Sequence, residues 1–144
     1  SITGSTTLEN IQGRILDLLG EITGFEFDHF RIQLAKNDKY ETFVQYSRKK
    51  GCLTIDRTHS GIDRDVVCRR KMELAPMQEE NDKKVLKLRI LLDKYSVEIF
   101  ANDGEKVMSS LFYTPLEADN IVFDSDGTAQ INIKKYSFDD LQQI

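Results

Sequence analysis

The chain has 144 residues, with 20 Lys and Arg against 24 Asp and Glu, and a formal net charge of −4 at pH 7. This balance gives no general attraction to nucleic acid or to an anionic membrane surface, and no run approaches the ~18–20 apolar residues of a membrane span. A hydrophobic content of 40% with only two prolines indicates one folded domain rather than a disordered segment.

Residues 1–10 are polar and predict a lead-in, so the folded domain is expected to span 11–144. The next segment, 11–22, is ambiguous, because its apolar residues fit a helical stripe as well as a partial strand alternation. Gly13 and Gly20 would each weaken a helix by about 1 kcal/mol relative to alanine. Since the sequence that follows is strand-like, we favour a strand here as well.

A change of apolar phase marks the segment 25–34. Phe27 closes one alternating set and Phe30 opens another, so we predict a β-bulge or bend near His29. Further along, turn-forming residues at 37–39 and a loop at 58–64 separate short alternating runs. The next strands are expected at 40–47, 51–56 and 66–74, followed by a charged connection at 76–84.

The clearest predicted element is a meander of three antiparallel strands between Leu86 and Phe112. Apolar residues alternate with polar or charged ones in 86–92 and again in 95–101, as in strands with one buried face. The tripeptide Asn-Asp-Gly at 102–104 tolerates positive φ and predicts a tight reversal. A third strand is expected over 107–113.

The last part of the sequence predicts a linker at 115–120, a short strand at 121–124, a turn at 125–127 and a closing strand at 127–138. Many short strands, spaced by about ten residues and separated by turn residues, are typical of a sandwich. The predicted fold is therefore all-β, an antiparallel two-sheet β-sandwich.

Asp93 and Glu98 are the strongest candidate pair of carboxylates for acid–base chemistry. Five residues apart in one regular strand, their side chains would point to opposite faces of the sheet, a geometry unsuited to shared catalysis. We therefore expect Asp93 to be a turn residue and Glu98 to lie on an exposed face of the sheet. Glu98 is predicted instead to pair with a basic residue such as Arg57, within the domain or across a domain contact.

Histidines and cysteines give no evidence of a metal site. His29 and His59 lack partners at ligand spacing, so no metal and no cofactor is expected. Cys52 and Cys68 lie in apolar alternating runs and are expected to be free thiols, which favours a reducing, cytoplasmic location and leaves secretion open. Aromatic residues of the predicted strands are expected in the core rather than on a sugar platform; these are Phe25, Phe27, Tyr40, Tyr46 and Tyr113.

Two runs of the chain resemble a known family. Residues 88–104 read L-R-I-L-L-D-K-Y-S-V-E-I-F-A-N-D-G. This run is similar to the L-R-I-x-x-D-x-S-S-V-E-x-F-x-N-D-G stretch in the C-terminal β-sandwich domain of glycoside hydrolase family 32. Residues 53–61 read L-T-I-D-R-T-H-S-G and resemble the L-x-x-D-R-x-x-S-G segment of the same domain. Both runs occur in the order and separation of the family, and the resemblance is strong over 51–113 and weaker, though collinear, elsewhere.

The resemblance implies a concanavalin A-like jelly-roll sandwich that follows a five-bladed β-propeller in β-fructofuranosidases such as invertases, sucrose-6-phosphate hydrolases, inulinases and levanases. Retaining glycosidases use two carboxyl groups, which in this family stand in W-M-N-D-P-N-G and E-C, with a stabilising Asp in R-D-P. None of these motifs occurs in this sequence. The implied role is that of an accessory domain, and no catalytic residue is carried over.

Four motif residues are expected to make structural or interdomain contacts, namely Asp56, Arg57, Asp93 and Glu98. The partner implied by the resemblance is the N-terminal propeller of the same polypeptide, while homo-oligomerisation is left open. One alternative is a lectin-like module that binds fructan or another glycan. Another is an interaction domain unrelated to sugar, which the two motif runs disfavour.

Overall fold

Eleven strands form the fold in the computed structural model, which describes residues 1–62, 66–75, 78–80 and 83–137. The strands are β1 (Ile2–Thr6), β2 (Leu16–Glu26), β3 (His29–Lys36), β4 (Thr42–Ser47), β5 (Cys52–Asp56), β6 (Arg69–Glu73), β7 (Gln78–Glu80), β8 (Lys83–Asp93), β9 (Ser96–Ala101), β10 (Lys106–Leu111) and β11 (Asn120–Ser137). Every pairing between them is antiparallel. Over these ranges the chain has no helix that could span a membrane.

A long two-stranded ribbon organises the fold. One side of the ribbon is β11, and the other side is β2 followed by β3, which pair with the second and first halves of β11 respectively. The first sheet continues from β2 through β8 and β9 to β10, and the second from β3 through β4 and β5 to β6. Because the ribbon bends, the single 11-stranded sheet folds into two layers and wraps nearly into a barrel. The predicted antiparallel β-sandwich is confirmed.

The bend of the ribbon lies where β2 ends at Glu26 and β3 begins at His29. The predicted irregularity near His29 is therefore confirmed. Opposite it stands Gly127, where an added Cβ would lie 2.0 Å from the Glu26 carbonyl oxygen, so only glycine allows the two strands to approach this closely. The turn predicted at 125–127 is wrong, because β11 runs through these residues without reversing while β1 and β3 flank it.

The core lies between the two layers and consists of the inward side chains of both sheets. The predicted meander is confirmed as β8, β9 and β10, with Leu86, Leu88, Ile90 and Leu92 buried. Each such side chain contributes roughly 1.5–3 kcal/mol on burial. Tyr95 lies in the turn between β8 and β9 rather than in β9, and it is exposed.

Two segments differ from their prediction. The expected lead-in at 1–10 contains β1, whose Ile2 is buried and pairs with Ala129 on β11; with a single apolar residue, β1 shows no alternation in the sequence. The expected connection at 76–84 contains β7, which pairs with the start of β8. The ambiguous segment 11–22 forms a strand from Leu16 onward, as favoured. Residues 63–64, 76–77, 81–82 and 138, which belong to predicted elements, lie outside the described residues.

Candidate functional site

Asp56, at the end of β5, is a buried carboxylate with a structural set of donors. Its Oδ1 accepts the Thr58 backbone N–H at 2.8 Å, and its Oδ2 accepts Nε of Arg69 at 2.7 Å. Burial acts to raise the pKa of Asp56, but hydrogen bonds from Thr58 and the Arg69 guanidinium outweigh it and hold the pKa below its usual value. Asp56 thus joins the end of β5 to β6 and to the loop that follows β5.

Arg57 connects the two ends of the folded sheet. Its Nε and Nη2 donate to the Val67 carbonyl at 3.0 and 2.7 Å, and its Nη1 donates to the Leu111 carbonyl at 3.0 Å. Val67 precedes β6, and Leu111 ends β10. The guanidinium therefore bridges the edge strands of the two sheets, where the barrel does not close.

Asp93 and Glu98 lie on the same face of the first sheet, and the prediction of opposite faces is wrong. The hairpin turn places them on different strands, with Asp93 opposite Ser96 and Leu91 opposite Glu98. Both side chains point outward, because the alternate positions of β8 and β9 are buried. The Oδ1 of Asp93 accepts the N–H of Lys94 in the turn.

The predicted contact between Glu98 and Arg57 is not formed inside the domain. Both residues line an open groove of about 520 Å³ between the end of β10 and the segment before β6. In the part of the chain that the structure describes, however, no ion pair joins them. A role of Glu98 across a domain contact stays a prediction.

The outer face of the first sheet carries a groove with a volume of about 540 Å³. Its floor is formed by Leu19 and Phe100 on either side of Arg89, which stand in register across β2, β8 and β9. Charged and amide side chains surround this floor, and they are Glu21, Lys87, Asp103, Asn132 and Lys134. The groove is thus a mixed surface, in which two apolar side chains flank Arg89.

Two cationic side chains of this groove, Arg89 and Lys87, form ion pairs. Arg89 donates through Nε and Nη2 to the two carboxylate oxygens of Asp17, at 3.1 and 2.8 Å. These hydrogen bonds and the negative charge of Asp17 raise the pKa of Arg89. Lys87 lies 3.5 Å from the carboxylate of Asp103. Asp17 consequently fixes the orientation of the Arg89 guanidinium, although half of the Arg89 side chain is exposed to solvent.

A second charged cluster occupies the bend of the ribbon. The Asp126 carboxylate accepts the backbone N–H groups of Asp28 and His29 at 2.9 to 3.1 Å, and it lies 3.1 Å from His29 Nδ1. Burial raises the pKa of Asp126, but these hydrogen bonds outweigh it and lower the pKa. Asp28, His29 and Asp126 each offer one side-chain atom that could bind a metal ion, and these three atoms lie within 4.8 Å of one another. The contacts supply donors to Asp126 where the regular ladder is interrupted.

Sequence reasoning did not find this cluster, because the two sides are 97 residues apart. His29 has no partner at ligand spacing in the sequence, whereas the fold brings Asp126 against it. The interrupted alternation near His29 and the Ser-Asp-Gly tripeptide at 125–127 each indicate an irregularity in the chain. Nothing in either segment indicates that the two segments face each other.

Arg14 is a further residue that the sequence did not reveal. It is buried, and its guanidinium donates to the backbone carbonyls of Lys94, Thr114, Pro115 and Ala118. Burial lowers the pKa of Arg14. Its position joins the turn after β8 to the linker before β11, so it is a structural cation rather than a binding residue.

The aromatic residues follow the core prediction in part. Phe27 and Tyr46 are buried, and Phe25 contacts both rings, with centroids 5.4 Å from Phe27 and 6.4 Å from Tyr46. Tyr40 is partly buried beside β4, whereas Tyr113 is exposed. Most of the aromatic surface is therefore used for packing.

The fold and the grooves define a two-sheet antiparallel β-sandwich domain. The family model described as Glycosyl hydrolases family 32 C terminal matches residues 2–140. The chain belongs to glycosyl hydrolase family 32, as its C-terminal domain, and the resemblance drawn from the two motif runs is confirmed.

Relatives of known name agree with this assignment. A sucrose-6-phosphate hydrolase of Staphylococcus xylosus is 28% identical over 130 residues, which cover 90% of this chain and 25% of that protein. A levanase of Bacillus subtilis is 36% identical over 83 residues, covering 57% of this chain and 12% of the levanase. The exo-inulinase structure from Aspergillus awamori has a TM-score of 0.79 at 24% identity and shows the fold alone, covering 94% of this chain and 27% of that one. This chain thus spans about a quarter of the sucrose-6-phosphate hydrolase and of the inulinase.

Proposed function

We propose that this chain is the accessory domain of a β-fructosidase that hydrolyses sucrose, sucrose-6-phosphate or fructans, and that it has a structural, stabilising or oligomerisation role without catalytic residues of its own. The observation that carries the proposal is the family match over 2–140 in a chain that spans about a quarter or less of the relatives named above. Their names, sucrose-6-phosphate hydrolase and levanase, supply the substrate classes.

The chemistry of the domain supports an accessory role. A retaining glycosidase needs two carboxyl groups free to flank the scissile bond. The carboxylate motifs of the family are absent from this sequence, and Asp17, Asp56 and Asp103 are engaged with Arg89, Arg69 and Lys87 respectively. We therefore assign the two-carboxylate machinery to the part of the parent enzyme outside this chain, which the family resemblance implies is a five-bladed β-propeller. The free thiols of Cys52 and Cys68 fit a cytoplasmic location.

Hydrolysis assays on the isolated chain test this proposal. The purified, folded chain is expected to release no fructose from sucrose, sucrose-6-phosphate, inulin or levan, whereas the full-length polypeptide hydrolyses one of them. Leu88→Asp, which places a charge in the core and unfolds the sheet, is the control for a contaminating enzyme. Turnover by the wild-type chain that disappears in Leu88→Asp would contradict the proposal.

A lectin-like module is the second candidate, and the mixed groove on the outer face of the first sheet favours it. Phe100 offers a partly exposed ring in a groove that is also lined by Arg89, Asn132 and Asp103, groups that hydrogen-bond sugar hydroxyls. Calorimetry with sucrose, inulin and levan separates the two roles. Heat of binding that is lost in Phe100→Ala would support the module.

A further inference from the structure

The outer faces of the two sheets differ in chemistry. The second sheet presents mainly polar side chains outward, as expected for a face in water; these include Arg31, Gln33, Gln45, Thr54, Lys71, Glu73 and Asp124. Its outward Phe43 is covered by the Arg31 guanidinium, which lies 3.7 Å from the ring centroid. This face therefore exposes little apolar surface at the positions named.

The first sheet, in contrast, has several apolar side chains at its outward-facing strand positions. They are Leu19, Leu91, Phe100, Val107, Leu111 and Tyr136, distributed over all five strands of the sheet. Four of them are strongly exposed: Leu19 by 38%, Val107 by 55%, Leu111 by 56% and Tyr136 by 42%. An apolar patch of this extent on one face only marks an interaction surface.

The cross-strand register shows how the apolar residues are distributed over this face. Lys134, Leu19, Arg89, Phe100 and Val107 stand in one row across β11, β2, β8, β9 and β10. The next row is Tyr136, Asp17, Leu91, Glu98 and Ser109. Apolar and charged positions therefore interleave, which fits the more polar composition of contacts between domains rather than that of a protein core.

The size of this surface fits a contact between domains. Five strands at ~4.8 Å spacing and four rows about 6.7 Å apart give a surface of roughly 19 by 20 Å. Its projected area is close to ~400 Å², or about 800 Å² over two partners, within the ~600–1,500 Å² of contacts between domains in one chain. A single sugar ring would cover only a small part of it.

The first residue of the chain lies at the margin of this surface. Ile2 pairs with Ala129, so Ser1 stands beside Gln130 on β11. Asn132, which lines the groove, is two residues further along the same strand, about 7 Å away. Chain that precedes Ser1 in a longer polypeptide consequently joins the domain at a corner of the outer face of the first sheet.

We infer that the outer face of the first sheet is the docking surface for the catalytic part of the same polypeptide, which precedes Ser1. The inference rests on the proposed function and names the surface of contact. Exposed Glu21, Lys134 and Glu98 stand among its apolar residues, so the partner surface combines apolar side chains with opposite charges facing these three. Glu98, a residue of the family-like run at 88–104, would then face a positive charge across the interdomain contact.

Hydroxyl-radical footprinting of the full-length polypeptide and of the isolated chain tests this inference. Oxidation of Leu19, Val107, Leu111 and Tyr136 is expected to fall about fivefold in the full-length polypeptide, because side chains exposed by 38–56% become interface core. Leu116 is the matched control: it is exposed by 42%, lies in the linker before β11, and its oxidation should not change.

Paired substitutions give a second readout. Val107→Glu is expected to leave the unfolding midpoint of the isolated chain unchanged, because the side chain is already exposed, and to expose the other face residues to oxidation in the full-length polypeptide. Leu116→Glu should change neither measurement. Both comparisons report on the contact without requiring enzymatic turnover.

Three outcomes would overturn the inference. Unchanged oxidation of the face in an active full-length polypeptide would refute the docking surface while the proposed function stands. Protection of the isolated chain that grows with its own concentration would assign the face to a second copy. Protection of the isolated chain by inulin or levan would assign it to a glycan. Fructose release by the isolated chain, in contrast, would contradict the proposed function itself.

Discussion

Replacing Gly127 by alanine probes the bend on which the two-layer fold depends. The new Cβ would lie 2.0 Å from the Glu26 carbonyl oxygen and 3.0 Å from the Phe27 Cα. An ordinary carbon–oxygen contact is about 3.3 Å, so backbone at the bend must move by more than ~1 Å. Because both contacts are to backbone, no side-chain rotation relieves them. We expect a loss of about 2–4 kcal/mol in the free energy of unfolding.

Urea denaturation followed by far-UV circular dichroism measures this loss, since the chain has no Trp. With a slope near ~2 kcal/mol per molar urea, the midpoint should fall by about 1–2 M. Gly20→Ala is the matched control in the same ribbon, because its nearest neighbours are Leu88 O at 3.8 Å and an Ile133 carbon at 3.9 Å. That variant should stay within about 1 kcal/mol of the wild type, in the stabilising direction. An unchanged midpoint and slope in Gly127→Ala would refute the reasoning.

Three further predictions concern charged groups. The lowered pKa of Asp56 means that its stabilisation is complete above the unfolded-state pKa of about 3.9 and is lost as the pH falls through the folded value. Unfolding free energy, measured between about pH 5 and 2, should therefore fall less steeply in Asp56→Asn than in the wild type; equal slopes would contradict this. Arg14→Lys should lose about 2–4 kcal/mol in urea titration, because three ammonium donors cannot serve four carbonyls, and full retention would show that those bonds are dispensable. Glu98→Gln should leave the isolated chain within about 0.5 kcal/mol of the wild type but lower the thermal midpoint of the full-length polypeptide; no change in either would remove Glu98 from the contact.

Local alternation was sufficient to place most strands. In β8 and β9 the apolar positions recur every second residue, and the Asn-Asp-Gly turn follows directly, so register and facing can be read from adjacent residues. The same rule located the irregularity near His29. It failed for β1, where Ile2 is the only large apolar residue, and at 125–127, where turn-forming residues lie inside a strand.

The candidate site depended more on long-range pairing. Asp93 and Glu98 were assigned to opposite faces because a regular strand was assumed between them, whereas the hairpin returns both to one face. The partners of Arg14, which lie at 94 and at 114–118, are separated from it by about 80 or more residues. No local pattern distinguishes such a buried cation from an exposed one.

The sequence alone determined the all-β class, the meander and, through the two runs at 53–61 and 88–104, the family. These features depend on neighbouring residues, whose spacing is preserved in any compact arrangement of the chain. Only the tertiary structure decided that Asp126 meets His29 at the bend, and that one outer face carries exposed apolar residues while the other is mainly polar. The physical reason is that β11 brings β2 and β3 together from the far end of the chain, so the surface they form with β8 to β10 is a property of strand order.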